Sequence, residues 1–253
     1  MFQGFTQGTT DFLWGIRFNN ERSWFLAHKE EFRTLVDAPM RELAAQVSGE
    51  INDRFPKLQL NCKVSRIYRD ARRLHGRGPY KDHLWFVLRP MATAADTEPG
   101  FYFEAAPEHY SYGMGSWNTT PQTMAKLRAR IDRDPEPLKQ LARRLEKHGE
   151  FALEGQMYKR PKGDPGTLLY PWYNRRQITL TSDHNCDELY FSPELAEQVV
   201  NGFAFLVPYY DYMCSVMADP APEQPCPPRK TPLSGCSEVF LQLIGLLRYL
   251  AKF

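Results

Sequence analysis

The sequence predicts an α+β fold: a mixed or mainly antiparallel sheet covered by helices, with an added C-terminal helix. Three observations predict it. Apolar residues in the first fifty positions recur at three-to-four spacing, the period of one helix face. From residue 60 to 115 the chain switches to short runs rich in β-branched and aromatic residues, separated by turn signals. No regular strand–helix–strand alternation is present, which excludes a doubly wound nucleotide fold.

The elements follow in order. Residues 9–54 read as helical. Thr10 or Asp11 can cap a first helix carrying Phe12, Leu13 and Ile16 on one side, and Asn20 can cap a second. Trp24, Phe25, His28, Phe32, Leu35 and Val36 form the buried stripe of that second helix. Pro39 breaks or restarts it, because proline lacks a donor and clashes with the preceding turn. "NCKVSRIYRD" is rich in strand formers. "HLWFVLRP" is a compact apolar run, as expected of a strand covered on both faces. "GFYFEAAPEHYSYGMG" reads as two strands joined at Pro107-Glu108.

Helices return at 119–132 and 135–147, with Pro121 and Pro137 in their first turns. Residues 155–175 are loop-like, and "RRQITLTS" is a fifth strand. Ser192 caps a long helix that Pro208 should kink. The expected domain boundaries are 1–218 for the α+β domain, 219–233 for a Pro-rich linker and 234–253 for an apolar helix.

Composition bounds the class. The chain has 253 residues, 42% hydrophobic and 25% charged, enough to bury a sizeable core without staples. Five scattered cysteines without a Cys-x-x-Cys pair read as reduced thiols. No leader and no long uncharged apolar run are apparent, so the expectation is a cytoplasmic protein with no membrane contact.

The formal charge is only +2, yet it is uneven. Residues 63–83 carry seven basic and two acidic side chains, against 25 basic and 28 acidic in the remainder. A local basic site suits a small anion better than a long duplex, which needs an extended stripe.

In a strand, Val64, Arg66, Tyr68 and Asp70 share one side, and Ser65, Ile67 and Arg69 the other. Such arginines need carboxylates or an anionic ligand, which the guanidinium fork fits well. The candidate anion-binding residues are Arg66, Arg69, Arg72, Arg77, Tyr80 and Lys81, with Tyr68 helping to orient the ligand. Asp70 can pair one arginine and Glu104 another. His83, Glu104 and Asp70 are the candidates for proton transfer or positioning. The bland alternative is a salt-bridge network that holds the fold.

Other clusters invite weaker readings. Asn19, Asn20, Arg22, Trp24 and His28 fit a helix cap and a core tryptophan. Asp183, His184, Cys186 and Asp187 crowd what reads as one surface loop, which argues against a metal site. Lys159, Arg160 and Lys162 lie on a loop that can act as a lid or simply be solvated. Tyr102, Tyr110, Tyr112 and Trp117 read first as core packing. No metal and no cofactor are called for.

Several stretches taken in order resemble one family: "GFT" at 4–6, "NNERSWF" at 19–25, "VSRIYRDAR" at 64–72, "PYKDHL" at 79–84, "GFYFE" at 100–104 and "KRPKG" at 159–163. The chain resembles the family called domain of unknown function 2461, found in bacteria and fungi, from about Phe2 to about Met213. The resemblance implies a stand-alone, soluble, intracellular domain and carries no assigned reaction. The family pattern has a lysine near Arg77, and the arginine here keeps the charge. The linker and final helix lie outside it.

Three functions stay open. The first is a domain that binds a small anion, phosphate or carboxylate, with an enzyme on such a substrate as its extension. The second is a nucleic-acid-binding module using the 63–83 segment, whose binding would weaken steeply with salt. The third is a structural or interaction protein whose arginines only hold the fold. A homo-oligomer through the C-terminal helix is a further partner expectation.

Overall fold

The computed structural model describes residues 1–70, 72, 76, 78–90, 98–116 and 119–222. The apolar helix expected at 234–253, Arg77, Trp117 and residues 223–233 of the Pro-rich linker lie outside the described residues. The described part is one compact unit, Met1–Ala221.

Helix α1 spans Gln7–Phe18 and begins earlier than expected, because Thr6 and Thr9 make its N-terminal turn; the Thr6 N–H donates to Thr9 Oγ1 at 3.1 Å. Short helices α2 (Arg22–Ala27) and α3 (Lys29–Glu31) lead into a π-helical stretch, Phe32–Asp37. Helix α4 (Ala38–Arg54) then restarts with Pro39 in its first turn, where the missing donor costs nothing. Glu21, not Asn20, is the N-cap residue of α2.

The sheet is antiparallel throughout. Its strands are β1 (Leu60–Val64), β2 (Leu84–Pro90), β3 (Gly100–Ala105), β4 (His109–Gly115), β5 (Ala152–Glu154) and β6 (Thr179–Asn185). Their spatial order is β1-β2-β3-β4-β6-β5. Strand β5 was not foreseen. Its three residues are too few to show a period, and pairing with β6 defines it. The region 155–175 also holds a one-turn helix, α7 (Tyr170–Tyr173).

Helices α5 (Pro121–Arg133) and α6 (Glu136–His148) precede β5. The long α8 (Glu194–Ala218) runs through Pro208, and Ser192 Oγ accepts from the Glu194 N–H at 3.2 Å at its start.

Register assigns the two sheet faces. Phe86, Phe103, Tyr112 and Ser182 lie in one cross-strand row, flanked by Leu84, Leu88, Phe101, Tyr110, Met114 and Leu180. These residues are buried and form the core under α4 and α8. Phe101 packs on Phe203 in a tilted arrangement and stacks on Tyr210, both of α8, with centroids 5.2 and 5.1 Å away.

The other face carries Trp85, Glu104, Ser111 and Asp183 in one row and Val87, Tyr102, Gly113 and Thr181 in the next. On strand β2, Trp85 and Arg89 of this face are half-buried, whereas Val87 between them is fully buried. The compact run of apolar residues in β2 suggested a strand covered on both faces, and Val87, Ser111 and Thr181 of this second face are indeed buried. Helices α4 and α8 both pack on the phenylalanine side. Among the described residues, no helix is long and apolar enough to cross a membrane. Cys62, Cys186 and Cys214 are free thiols.

Candidate functional site

The chain between β1 and β2 makes a narrow excursion. Residues 65–69 run out and 79–81 return beside them. The Arg69 N–H donates to Pro79 O at 2.8 Å, and the Lys81 N–H donates to Ile67 O at 2.7 Å. Alternation persists past the end of β1: Ser65 and Ile67 are buried, whereas Arg66 and Tyr68 are exposed.

Asn20 holds the returning segment. Its Oδ1 accepts from the Tyr80 N–H at 2.9 Å, and its Nδ2 donates to Tyr80 O at 3.0 Å. Gly78 makes room for this clamp: a Cβ there would sit 2.2 Å from Asn20 Oδ1. Asn20 therefore pins a β-segment across sixty residues instead of capping its own helix.

This excursion and the adjoining sheet edge frame an open cleft of about 500 Å³. It is lined by Lys63, Arg66, Arg69, Arg72 and Lys81, together with Asp70, Tyr68 and Trp85. Five side chains are cationic and one is a carboxylate. Lys63 sits opposite Val87 in the β1–β2 ladder, on the same sheet face as Trp85. The Lys81 ammonium lies 5.6 Å from the Trp85 ring centroid and donates to the Arg66 carbonyl. Burial and the nearby charges of Arg69 and Arg66 hold Lys81 below the usual lysine pKa, while Glu104 opposes that shift.

The cations differ in how far they are already engaged. Arg69 is 18% exposed; its Nε donates to Tyr80 O at 2.7 Å and its Nη2 reaches Asp82 Oδ1 at 3.5 Å. Arg72 is bound to Asp70 through Nη2 at 2.9 Å and Nε at 3.1 Å. Arg66 and Lys63 make no ion pair among the described residues.

Asp82 is the hub of a separate network behind the cleft. It accepts from Arg17 Nε at 2.6 Å and meets His83 Nδ1 at 3.1 Å. Burial raises its pKa, but the bonds from Arg17 and His83 outweigh burial and hold the carboxyl below its usual value. Arg17 continues to Glu108, with Nη2 to Oε2 at 3.0 Å.

The residues expected at the site divide accordingly. Arg66, Arg69, Asp70, Arg72 and Lys81 come together on the cleft. Tyr80 is buried, with its ring on Phe25 at 4.3 Å, and contributes backbone. His83 is engaged with Asp82. Glu104 flanks Trp85 on the next strand. It makes no ion pair with an arginine among the described residues.

Trp85 was not foreseen as a site residue. The signal was its odd position within "HLWFVLRP", which the apolar run masked.

The remaining clusters lie elsewhere. His28 stacks on Trp24 at 4.2 Å and its Nδ1 meets Trp24 O at 2.8 Å, a local helical contact. Asp183 and His184 belong to β6 and not to a loop. His184 Nε2 meets Ser182 Oγ at 2.7 Å and stacks beside Tyr110 and Tyr112, in a polar patch of the core. No group of metal-holding side chains occurs among the described residues. Lys162, Arg128 and Arg176 surround the Tyr158 ring at 5.0 to 5.8 Å. None of these three lines the cleft.

A family model described as conserved hypothetical protein (DUF2461) matches residues 8–212. No curated protein matches the chain.

Proposed function

We propose, for a chain that belongs to the conserved hypothetical protein family DUF2461, that its domain binds a small molecule through an anionic phosphate or carboxylate group. One observation carries this: five cationic side chains line one cleft that holds a single carboxylate, and that carboxylate is already bound to Arg72. Cations gathered in this way repel one another unless an anion joins them. Arg69 is held in the frame by Tyr80 and Asp82, and the exposed Arg72 is paired with Asp70. Arg66, Lys63 and Lys81 supply the charge that meets the ligand.

A reaction on the bound molecule needs a proton carrier, and Glu104 is the candidate because it flanks Trp85. Asp70 positions Arg72, and His83 is committed to Asp82. No nucleophile–base–orienter set lines the cleft among the described residues, so the proposal stops at binding.

The test is thermal unfolding against phosphate, sulfate, small carboxylates and a short oligonucleotide at low and moderate salt. A ligand at a hundred times its dissociation constant stabilises by about 2.7 kcal/mol. A salt-tolerant rise with a small anion, lost in Arg66→Ala, is expected. A rise with the oligonucleotide alone, erased by salt, contradicts the proposal and favours nucleic acid.

A further inference from the structure

From Trp85 at the cleft wall, a row of sheet side chains continues past the cations. Cross-strand partners point to the same side of a sheet, so Trp85, Glu104 and Ser111 form one row that leads away from the basic rim across β2, β3 and β4. Neighbouring strands lie about 4.8 Å apart, so the row advances by roughly 5 Å at each step. Its first member offers a flat aromatic face at the cleft wall. Its second, Glu104, is a half-buried carboxylate with no hydrogen-bond partner among the described residues. A partly exposed carboxylate, near enough to Lys81 to act on its charge, therefore stands one strand beyond a cluster of cations with too few acceptors. Beside Ser111, Tyr102 of the adjacent row donates to Thr181 Oγ1 at 2.9 Å and brings a further hydroxyl pair to this face.

Resting on the anion-binding function above, we infer that the ligand is a phosphorylated polyhydroxyl compound of the sugar-phosphate class. Its phosphate meets Lys63, Arg66 and Lys81; its ring lies against Trp85; its hydroxyls donate to Glu104. The multiple positive charges favour a dianionic phosphate over a monocarboxylate. The same charges disfavour an ammonium at Glu104, which leaves neutral hydroxyl donors as the partners of its carboxylate. Phosphate alone would occupy only the basic end of the row.

Titration calorimetry of the full chain with orthophosphate, a hexose phosphate and the unphosphorylated hexose tests this. The hexose phosphate should bind at least about tenfold more tightly than orthophosphate, a margin of about 1.4 kcal/mol. Glu104→Ala should abolish that margin while orthophosphate binding is retained. Glu104 is partly exposed, and the orthophosphate titration itself reports whether the variant is folded. Equal affinity for the two phosphates, or a margin that survives Glu104→Ala, overturns the sugar-phosphate inference while the anion site stands. A nucleoside monophosphate that binds more tightly than the hexose phosphate and ignores Glu104→Ala also overturns it. No heat with any phosphate removes both the inference and the anion site.

Discussion

Arg69 and Arg66 lie three residues apart and face the same cleft, yet the structure gives them different tasks. Arg69→Ala removes the 2.7 Å bond to Tyr80 O and the 3.5 Å contact to Asp82. A hydrogen bond from a charged donor contributes about 1.5–3 kcal/mol. The longer contact adds little, because geometry and solvent weaken it. The expected loss is therefore about 2 kcal/mol. In a domain of this size each kcal/mol moves the midpoint by roughly 2–4 °C, so Arg69→Ala should melt about 4–8 °C lower.

Arg66 is exposed and unpaired among the described residues, so Arg66→Ala should stay within about 0.5 kcal/mol of the parent. Its loss should appear only in the stabilisation by phosphate. Circular dichroism melts with and without phosphate measure both effects. Equal destabilisation by the two substitutions, or a full phosphate-induced rise in Arg66→Ala, would refute the division between frame and ligand contact.

Other perturbations follow from the same geometry. Gly78→Ala drives a Cβ into Asn20, and Asn20→Ala strips two bonds from Tyr80; each should cost about 1–3 kcal/mol by chemical denaturation, and the pair should not add. Asp82 has a folded pKa below its usual value. Its stabilisation is present above the unfolded pKa near 4 and is lost as pH falls through the folded one, so Asp82→Asn should flatten the acid limb of a stability–pH curve. Lys81 titrates below the usual lysine value. Stability should therefore rise with pH between its folded and unfolded pKa values, and phosphate affinity should fall across the same interval; Lys81→Met should remove both trends. Gln59 has a φ of 46°, a left-handed conformation that costs a side chain, so Gln59→Gly should raise the melting point slightly or leave it unchanged.

Much of the fold was legible because its signals are local. The helical stripe through Phe25, Phe32 and Val36, the strand run around Phe86 and the Ser192-Pro193 start of α8 each declare themselves within a few residues. The clustering of Arg66, Arg69, Arg72 and Lys81 along the chain was legible for the same reason, but their convergence on one cleft was not, since it depends on how the excursion between paired strands returns. What escaped depends on distant partners. Asn20 fits a helix cap by sequence, and only the return of residue 80 to its side chain makes it a backbone clamp. Trp85 and Glu104 are apolar-run and strand residues until register sets them side by side. Asp183 and His184 looked like a loop because polar residues dominate there, yet pairing with β4 draws them into the sheet.

The central claim is that the cleft's cations exist for an anion. The most direct measurement is calorimetric titration of phosphate into the parent chain and into a Lys63→Ala, Arg66→Ala double variant, at two salt concentrations. Both substituted side chains are exposed, so the variant should melt like the parent. The account predicts saturable, one-to-one heat in the parent that persists at moderate salt and disappears in the variant. Identical heats in the two proteins, or none in the parent, would contradict it and leave the arginines as parts of the frame.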